Sequence, residues 1–351
     1  MKPDLRSMTL PELKELLEGW GEPDFRAVQL FEWMHRRHAA SFEEMTNLSG
    51  TLRSRLGEEC FLCTARPVQV LTSRIDGTGK YLMRFSDGNV VECVRMRYHY
   101  GSSVCISSQV GCAMGCRFCA STIGGKVRDL SAGEMLEQVY RIQAANDERI
   151  SGVVVMGSGE PLDNYGNLLR FLHLLTDERG LNLSARSITV STCGIVPGIR
   201  ALAREKLQIT LALSLHATTQ EERRELMPIA GRYPLDKVLD ACAEYFSLTG
   251  RRVTLEYSLV KGVNDSEGHA VRLSKIARSL KAHMNLIPVN PVAERTWQKP
   301  DPSAVRAFHA RLVRLGANAT VRREMGADIN GACGQLRRGF LETQEDGEIR
   351  E

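Results

Sequence analysis

Along the first 65 residues the apolar positions recur at helical spacing. Thr9-Leu10-Pro11-Glu12 has the form of a capping box with proline at the helix start, and Leu13, Leu16, Leu17 and Trp20 follow at i, i+3, i+4 and i+7, on one face. Ala27, Leu30, Phe31 and Met34 repeat the pattern in a second helix that ends in His35-Arg36-Arg37-His38. That basic run reads as a solvated helix end favoured by the macrodipole, or, more sharply, as a phosphate contact. A third helix is expected from near Ser49, with Leu52 and Leu56 inward. Between 66 and 100 the period shortens. Lys80–Phe85 and Val90–Met96 read as strands joined by Ser86-Asp87-Gly88-Asn89, a hairpin signal. From about residue 103 short strands alternate with amphipathic helices such as Ser131–Ala145 and Leu235–Leu248. The strands are Val104–Ser107, Gly152–Met156, Ser187–Ser191, Ile209–Leu215, Val253–Leu259 and Met284–Pro288, with Asn318–Arg323 a candidate for a last one. Six βα units imply a parallel α/β sheet with right-handed crossovers. About 220 residues are too few for an eightfold barrel, so a partial barrel and an open doubly wound sheet both satisfy the pattern.

Composition narrows the class without naming a partner. The 351 residues are 43% hydrophobic and 25% charged, which excludes disordered and low-complexity chains. A net charge of +4 permits an RNA partner but does not require one. No apolar run is long enough for a membrane span, and Met1-Lys2-Pro3-Asp4-Leu5-Arg6 lacks the apolar stretch of a signal peptide. A cytoplasmic, reducing location is expected, and there ten cysteines point to metal or redox chemistry rather than a disulfide framework.

The strongest chemical signal is Cys112-Ala113-Met114-Gly115-Cys116-Arg117-Phe118-Cys119, in the loop after the first parallel strand. Three thiolates that close together can wrap one centre, and soft ligands select iron–sulfur clusters or zinc. No fourth ligand follows within twenty residues, which disfavours structural zinc. Three ligands on a four-iron cluster leave one iron open to substrate. Cys60 and Cys63, and likewise Cys193 and Cys242, read as small core residues. Cys93, beside Glu92 in a strand, has no role assigned. Cys105 lies seven residues before the triplet, and Cys333 lies in the Gly/Asn-rich loop Gly326–Leu336. On spacing alone such a loop cysteine is usually inert.

Polar residues gather at the ends of successive strands: Gly157-Ser158-Gly159-Glu160-Pro161, Ser191-Thr192, Ser214-Leu215-His216 and Asn290-Pro291. Each is weak alone. Together they outline one pocket on the rim where parallel α/β folds build their sites.

The CxxxCxxC spacing after the first barrel strand resembles the radical S-adenosylmethionine (SAM) superfamily. The stretches 105–112, 156–162, 213–217, 285–291 and 332–336 resemble one family within it, the RlmN/Cfr adenine methyltransferases, over nearly the whole chain. The resemblance implies a partial (β/α)6 radical SAM barrel over 101–340 that carries a C-terminal methyl-cysteine loop. It also implies a small N-terminal helical, RNA-binding domain over 1–65, a β-hairpin connector over 66–100, and a polar tail over 341–351. By position, Cys112, Cys116 and Cys119 would hold a [4Fe-4S] cluster. Gly159, Glu160, Ser191, Ser214, Leu215, His216 and Asn290 would contact SAM. Cys333 would be the methyl-carrying cysteine, Cys105 its partner, and Glu92 a proton acceptor.

The family's chemistry gives the cysteine pair its reason. The C2 and C8 carbons of adenine do not form carbanions that attack a SAM methyl at neutral pH. One SAM methylates Cys333, and a second yields the deoxyadenosyl radical that takes a hydrogen from the S-methyl group. The methylene radical would add to the base, the adduct would lose one electron and its ring proton, the proton to Cys105 or Glu92, and Cys105 would then attack the Cys333 sulfur. That attack releases methyladenine and leaves a disulfide, which external thiols reduce. The implied partners are 23S rRNA, with tRNA as a further substrate, and an electron donor such as flavodoxin or ferredoxin; a monomer is expected. Gly159 to Pro161 and the N-terminal helices resemble the C2-methylating RlmN branch more than the C8-methylating, antibiotic-resistance Cfr branch. The other readings are a radical SAM enzyme acting on a peptide and a non-catalytic iron–sulfur RNA-binding protein. Arg95, Arg97, Lys126, Arg128, Arg322 and Arg323 flank the rim and are RNA-contact candidates by location only.

Overall fold

A computed structural model describes residues 2–289, 297–329, 336, 337, 339 and 340. Three helices open the chain: α1 (Leu10–Glu18), α2 (Asp24–His35) and α3 (Gly50–Glu59). The capping box at Thr9 closes, with the Thr9 N–H donating to Glu12 Oε2 at 2.7 Å, and Ser49 Oγ caps α3 by accepting from the Leu52 N–H. Leu13, Leu17, Leu30, Phe31, Met34, Leu52 and Leu56 are buried in one core that continues into the rest of the molecule.

Twelve strands follow: β1 (Ala65–Thr72), β2 (Gly79–Phe85), β3 (Val90–Tyr98), β4 (Gly101–Ile106), β5 (Gln109–Gly111), β6 (Lys126–Asp129), β7 (Ile150–Val155), β8 (Ile188–Thr192), β9 (Thr210–Ser214), β10 (Thr254–Leu259), β11 (His283–Pro288) and β12 (Asn318–Val321). Ten of them form one sheet in the order β1-β2-β3-β4-β7-β8-β9-β10-β11-β12, and β5 and β6 pair separately. Every pair from β4 onward in the large sheet is parallel. The intervening helices are α4 (Ala132–Asn146), α5 (Tyr165–Thr176), α6 (Val196–Arg204), α7 (Gln220–Leu226), α8 (Leu235–Thr249), α9 (Glu267–Ser279) and α10 (Pro302–Arg314). The six expected βα strands are all present, and β12 adds a seventh parallel strand. The sheet curls so that β3 and β4 face the β11–β12 end across a shared cavity. This is the partial barrel that the resemblance implies.

The stretch 66–100 holds three antiparallel strands rather than a hairpin alone, and β3 joins them directly to β4. The periodicity missed β1 because it is an edge strand: most of its residues are exposed, it contains Pro67, and its register slips between Pro67 and Gln69.

The helical unit is fastened to α4 by charge. Arg6 is fully buried, and its guanidinium donates to the carbonyls of Cys63, Met34 and Ala39 and lies 3.0 Å from Glu137. Only part of the basic run at 35–38 is solvated. Arg36 and Arg37 are exposed, but His35 is buried with Nδ1 3.0 Å from the Tyr140 hydroxyl, and His38 stacks on the Tyr140 ring. Burial lowers the pKa of both imidazoles, that of His38 to about 4, so they pack as neutral rings instead of contacting phosphate.

Candidate active site

The cysteine loop hangs between β5 and β6. Gly111 has φ +77°, and a Cβ there would fall 2.0 Å from the Gly125 carbonyl, so only glycine permits the turn into Cys112. The loop is pinned at both ends. The Arg117 N–H donates to the Leu226 carbonyl at 2.9 Å, and Thr122 Oγ1 donates to the carbonyls of Cys116 and Cys119. Cys112, Cys116 and Cys119 line one cavity of about 180 Å³ with Gly159, Glu160, Ser191 and Ser214. Burial pushes the Cys112 thiol up to about 12 and raises Cys116 as well. A bound cationic centre reverses that preference by stabilising the thiolates. Among the described residues no three His, Cys, Asp or Glu side chains converge tightly enough for a single metal ion. Three soft sulfurs spread around one cavity are a donor set that fits a polynuclear iron–sulfur cluster.

The opposite wall comes from the loop after β7. Gly159 has φ +105°, and a Cβ there would lie 2.6–2.8 Å from atoms of Gln109. Gln109 ties the two loops together: its Oε1 accepts from the Glu160 N–H, and its Nε2 donates to Asp129 and Asp163. Glu160 is buried, and its carboxylate accepts from the N–H groups of Leu162 at 3.1 Å and Cys193 at 2.7 Å. Burial raises its pKa against those bonds. The hydroxyls of Ser191 and Ser214 stand 3.4 Å apart. Leu215 is buried, and its N–H donates to the Glu256 carbonyl. His216 adopts φ +56°, which directs its ring inward against Phe118, edge to face. Its Nδ1 accepts from the Ser258 N–H at 3.0 Å, and burial, then Arg223, lower its pKa to about 3. The imidazole is therefore neutral, with its proton on Nε2.

Cys105 lines a second cavity. Cys105 pairs with Val94 across β3 and β4, so Glu92, two residues before Val94, shares its face. Cys105, Val94 and Met96 line a cavity of about 460 Å³, whose mouth carries the exposed Arg306, Arg322 and Arg323. Met156 lies between the two spaces: it lines the cysteine cavity and packs on the Cys105 cluster. Glu92 is buried, 3.3 Å from Lys80 Nζ, and accepts from the Arg337 N–H at 2.7 Å. Cys333 and Asn290 lie outside the described residues.

Three of the six candidate RNA contacts are engaged inside the protein. Arg95 pairs with Glu148, Lys126 with Asp129 and Asp163, and Arg128 with Asp87 and Glu134. Arg97, Arg322 and Arg323 are exposed, as is the paired Lys126. Sequence reasoning missed Gln109, the Glu256–Asn285 contact beside Ser214, and Arg223. It assigned Cys193 to the core; Cys193 is buried, but it also lines the cysteine cavity. No helix among the described residues is long and apolar enough to cross a membrane.

Residues 106–273 match the radical SAM superfamily, and residues 3–62 match the ribosomal RNA large subunit methyltransferase N-terminal domain. A probable dual-specificity RNA methyltransferase RlmN of Lachnospira eligens is 55% identical over 345 residues, covering 98% of this chain and 99% of the relative. The corresponding protein of Clostridium acetobutylicum is 50% identical, covering 95% and 96%. The crystal structure of a radical SAM methyltransferase from Sphaerobacter thermophilus superposes with a TM-score of 0.90 at 43% identity, covering 95% of this chain and 98% of that one. With both domains matched and relatives alike end to end, the chain belongs to the RlmN family of radical SAM RNA methyltransferases.

Proposed function

We propose that this chain methylates C2 of an adenine in 23S rRNA and C2 of an adenine in the tRNA anticodon loop. The observation that carries the reading is the adjacency, across Met156, of a three-thiol cavity and a larger one that presents Cys105. Cys112, Cys116 and Cys119 hold a [4Fe-4S] cluster. Gly159, Glu160, Ser191, Ser214, Leu215, His216 and Asn290 take SAM: the buried Glu160 carboxylate suits its ammonium, and the serine hydroxyls and neutral His216 suit its other polar groups. When bound, the cluster and SAM supply one-electron chemistry and the methyl group.

The larger cavity takes the adenine. Its mostly apolar wall of Val94, Met96, Ile287, Pro288 and Met325 suits a base turned out of its stack, and the arginines at its mouth suit the flanking phosphates. Cys333 carries the methyl. Cys105 is the thiol that releases the product by attacking the Cys333 sulfur, and either Cys105 or Glu92, on the same sheet face, accepts the ring proton. Arg337, four residues after Cys333, is held by Glu92 through its N–H and donates from Nε to the Val90 carbonyl, which supports Cys333 working on this side of the sheet. The enzyme acts in the cytoplasm as a monomer and draws electrons from a flavodoxin- or ferredoxin-type donor.

The test is nucleoside mass spectrometry after anaerobic cluster reconstitution with SAM, a reductant, and a 23S rRNA fragment or tRNA. 2-Methyladenosine in both RNAs is expected. 8-Methyladenosine would move the reading to the C8 branch, and unmodified RNA from a cluster-loaded, SAM-cleaving enzyme would overturn it.

A further inference from the structure

Arg223, on α7, is fully buried beside the cysteine cavity. Its Nη2 donates to the Cys193 carbonyl at 2.5 Å and to the Ser214 carbonyl at 3.4 Å, and both of those residues line the cavity. Among the described residues its Nε and Nη1 are buried without a hydrogen-bond partner. Burial works against its charge, and the side chains around it are the neutral thiols of Cys193, Cys116 and Cys242. The end of the same helix grips the cysteine loop through the Leu226 carbonyl.

A guanidinium buried with two idle donors costs several kcal/mol unless a negative group offsets it. Two backbone carbonyls do not require a cation, since a neutral amide would donate to them equally well. The anionic group that belongs next to Cys116 is the iron–sulfur cluster. Three thiolates make it negative, and it gains one further negative charge on reduction.

We propose that Arg223 is the fixed counter-charge of the cluster, stabilising its reduced form and so raising its reduction potential. The inference rests on the assignment of Cys112, Cys116 and Cys119 to the cluster. In reduction one electron passes from the external donor to the cluster, and no bond or proton moves. The added negative charge lies in a low-dielectric interior, where a nearby fixed cation acts strongly. Arg223 touches neither SAM nor RNA in this role; it is a positioning residue acting through the cluster.

The experiment compares wild type, Arg223→Gln and Arg223→Lys, each reconstituted anaerobically. Iron per chain and the midpoint potential are read by EPR-monitored reductive titration. Arg223→Lys should titrate close to wild type. Arg223→Gln should show a reduced-to-oxidised ratio roughly tenfold lower at a given potential, a downward shift of about 59 mV for one electron. Equal potentials at equal iron content would overturn the proposal. If Arg223→Gln holds no cluster, the melting temperature of the cluster-free chain decides. A chain as stable as cluster-free wild type, with Arg223→Lys still loading iron, means the cluster requires the charge. A cluster-free chain that melts well below wild type makes Arg223 a strut for Cys193 and Ser214 and overturns the proposal. Wild type that binds no iron would refute the cluster assignment instead.

Discussion

Replacing Arg6 by methionine tests whether the N-terminal helices are fixed to the barrel by a buried charge pair. Arg6 and Glu137 are both fully buried at 3.0 Å, and Glu137 Oε2 also accepts from the Ala65 N–H and lies 3.3 Å from Arg141 Nε. The Arg6–Glu137 contact is ionic rather than a well-aligned hydrogen bond, since Glu137 Oε1 has no aligned donor. Methionine keeps much of the volume but leaves Glu137 with the more distant Arg141 alone and three buried carbonyls without their donor. Breaking one side of such a pair costs about 3–5 kcal/mol. For a chain of this size that is a fall in melting temperature on the order of 5–10 °C. Burial already raises the Glu137 pKa against the pull of Arg6 and Arg141, and removing Arg6 raises it further. An acid whose folded pKa lies above its unfolded value stabilises the fold below the unfolded pKa, and that contribution is lost as pH rises through the folded pKa. The Arg6→Met deficit should therefore be largest near pH 8 and shrink toward pH 5. Adding Glu137→Gln should restore part of the loss, because the orphaned charge is gone. Melting curves of the single and double variants at both pH values read all three effects. A deficit under about 1 kcal/mol that does not change with pH would refute the reasoning, since that is how an exposed pair behaves.

Two further substitutions probe the site. Gly159→Ala forces a Cβ against Gln109 at 2.6 Å at φ +105°, so it should displace the Glu160 loop and weaken SAM binding at least tenfold by calorimetry; an unchanged Kd would mean that this loop does not hold SAM. Cys105→Ala should accumulate protein covalently joined to RNA, visible as nucleotide-bearing protein by mass spectrometry, because the thiol that releases the product is missing. The same variant recovered free of RNA after turnover would remove that role from Cys105.

Signals confined to a few residues were legible in the sequence. The capping box at Thr9, the βα alternation and the cysteine triplet each lie within a short window, and their chemistry does not depend on distant chain. What could not be read depended on neighbours brought together by folding. The intramolecular pairs of Lys126 and Arg128 could not be read, because a sequence does not display the acids, Asp163, Glu134 and Asp87, that close on them. His35 and His38 looked solvated until α4 supplied Tyr140. β1 was hidden by its exposure at the sheet edge.

Arg223 shows the same limit most sharply. It stands in Gln220-Glu221-Glu222-Arg223-Arg224-Glu225, a run that any hydropathy reading gives to solvent. Within it Arg224, Glu221 and Glu225 are exposed, and Arg223 alone among the charged residues is fully buried. A buried arginine is ordinarily explained by the carboxylate it meets, as Arg6 is by Glu137. Arg223 lies against the cysteine cavity and meets no carboxylate among the described residues. The Arg6 pair is complete within the chain, so breaking it should show in stability whether or not the cluster is loaded. The charge of Arg223 lacks such a partner, so its neutralisation should show in the cluster's potential and little in the cluster-free fold. The contrast separates a charge that holds the fold together from one placed for a cofactor.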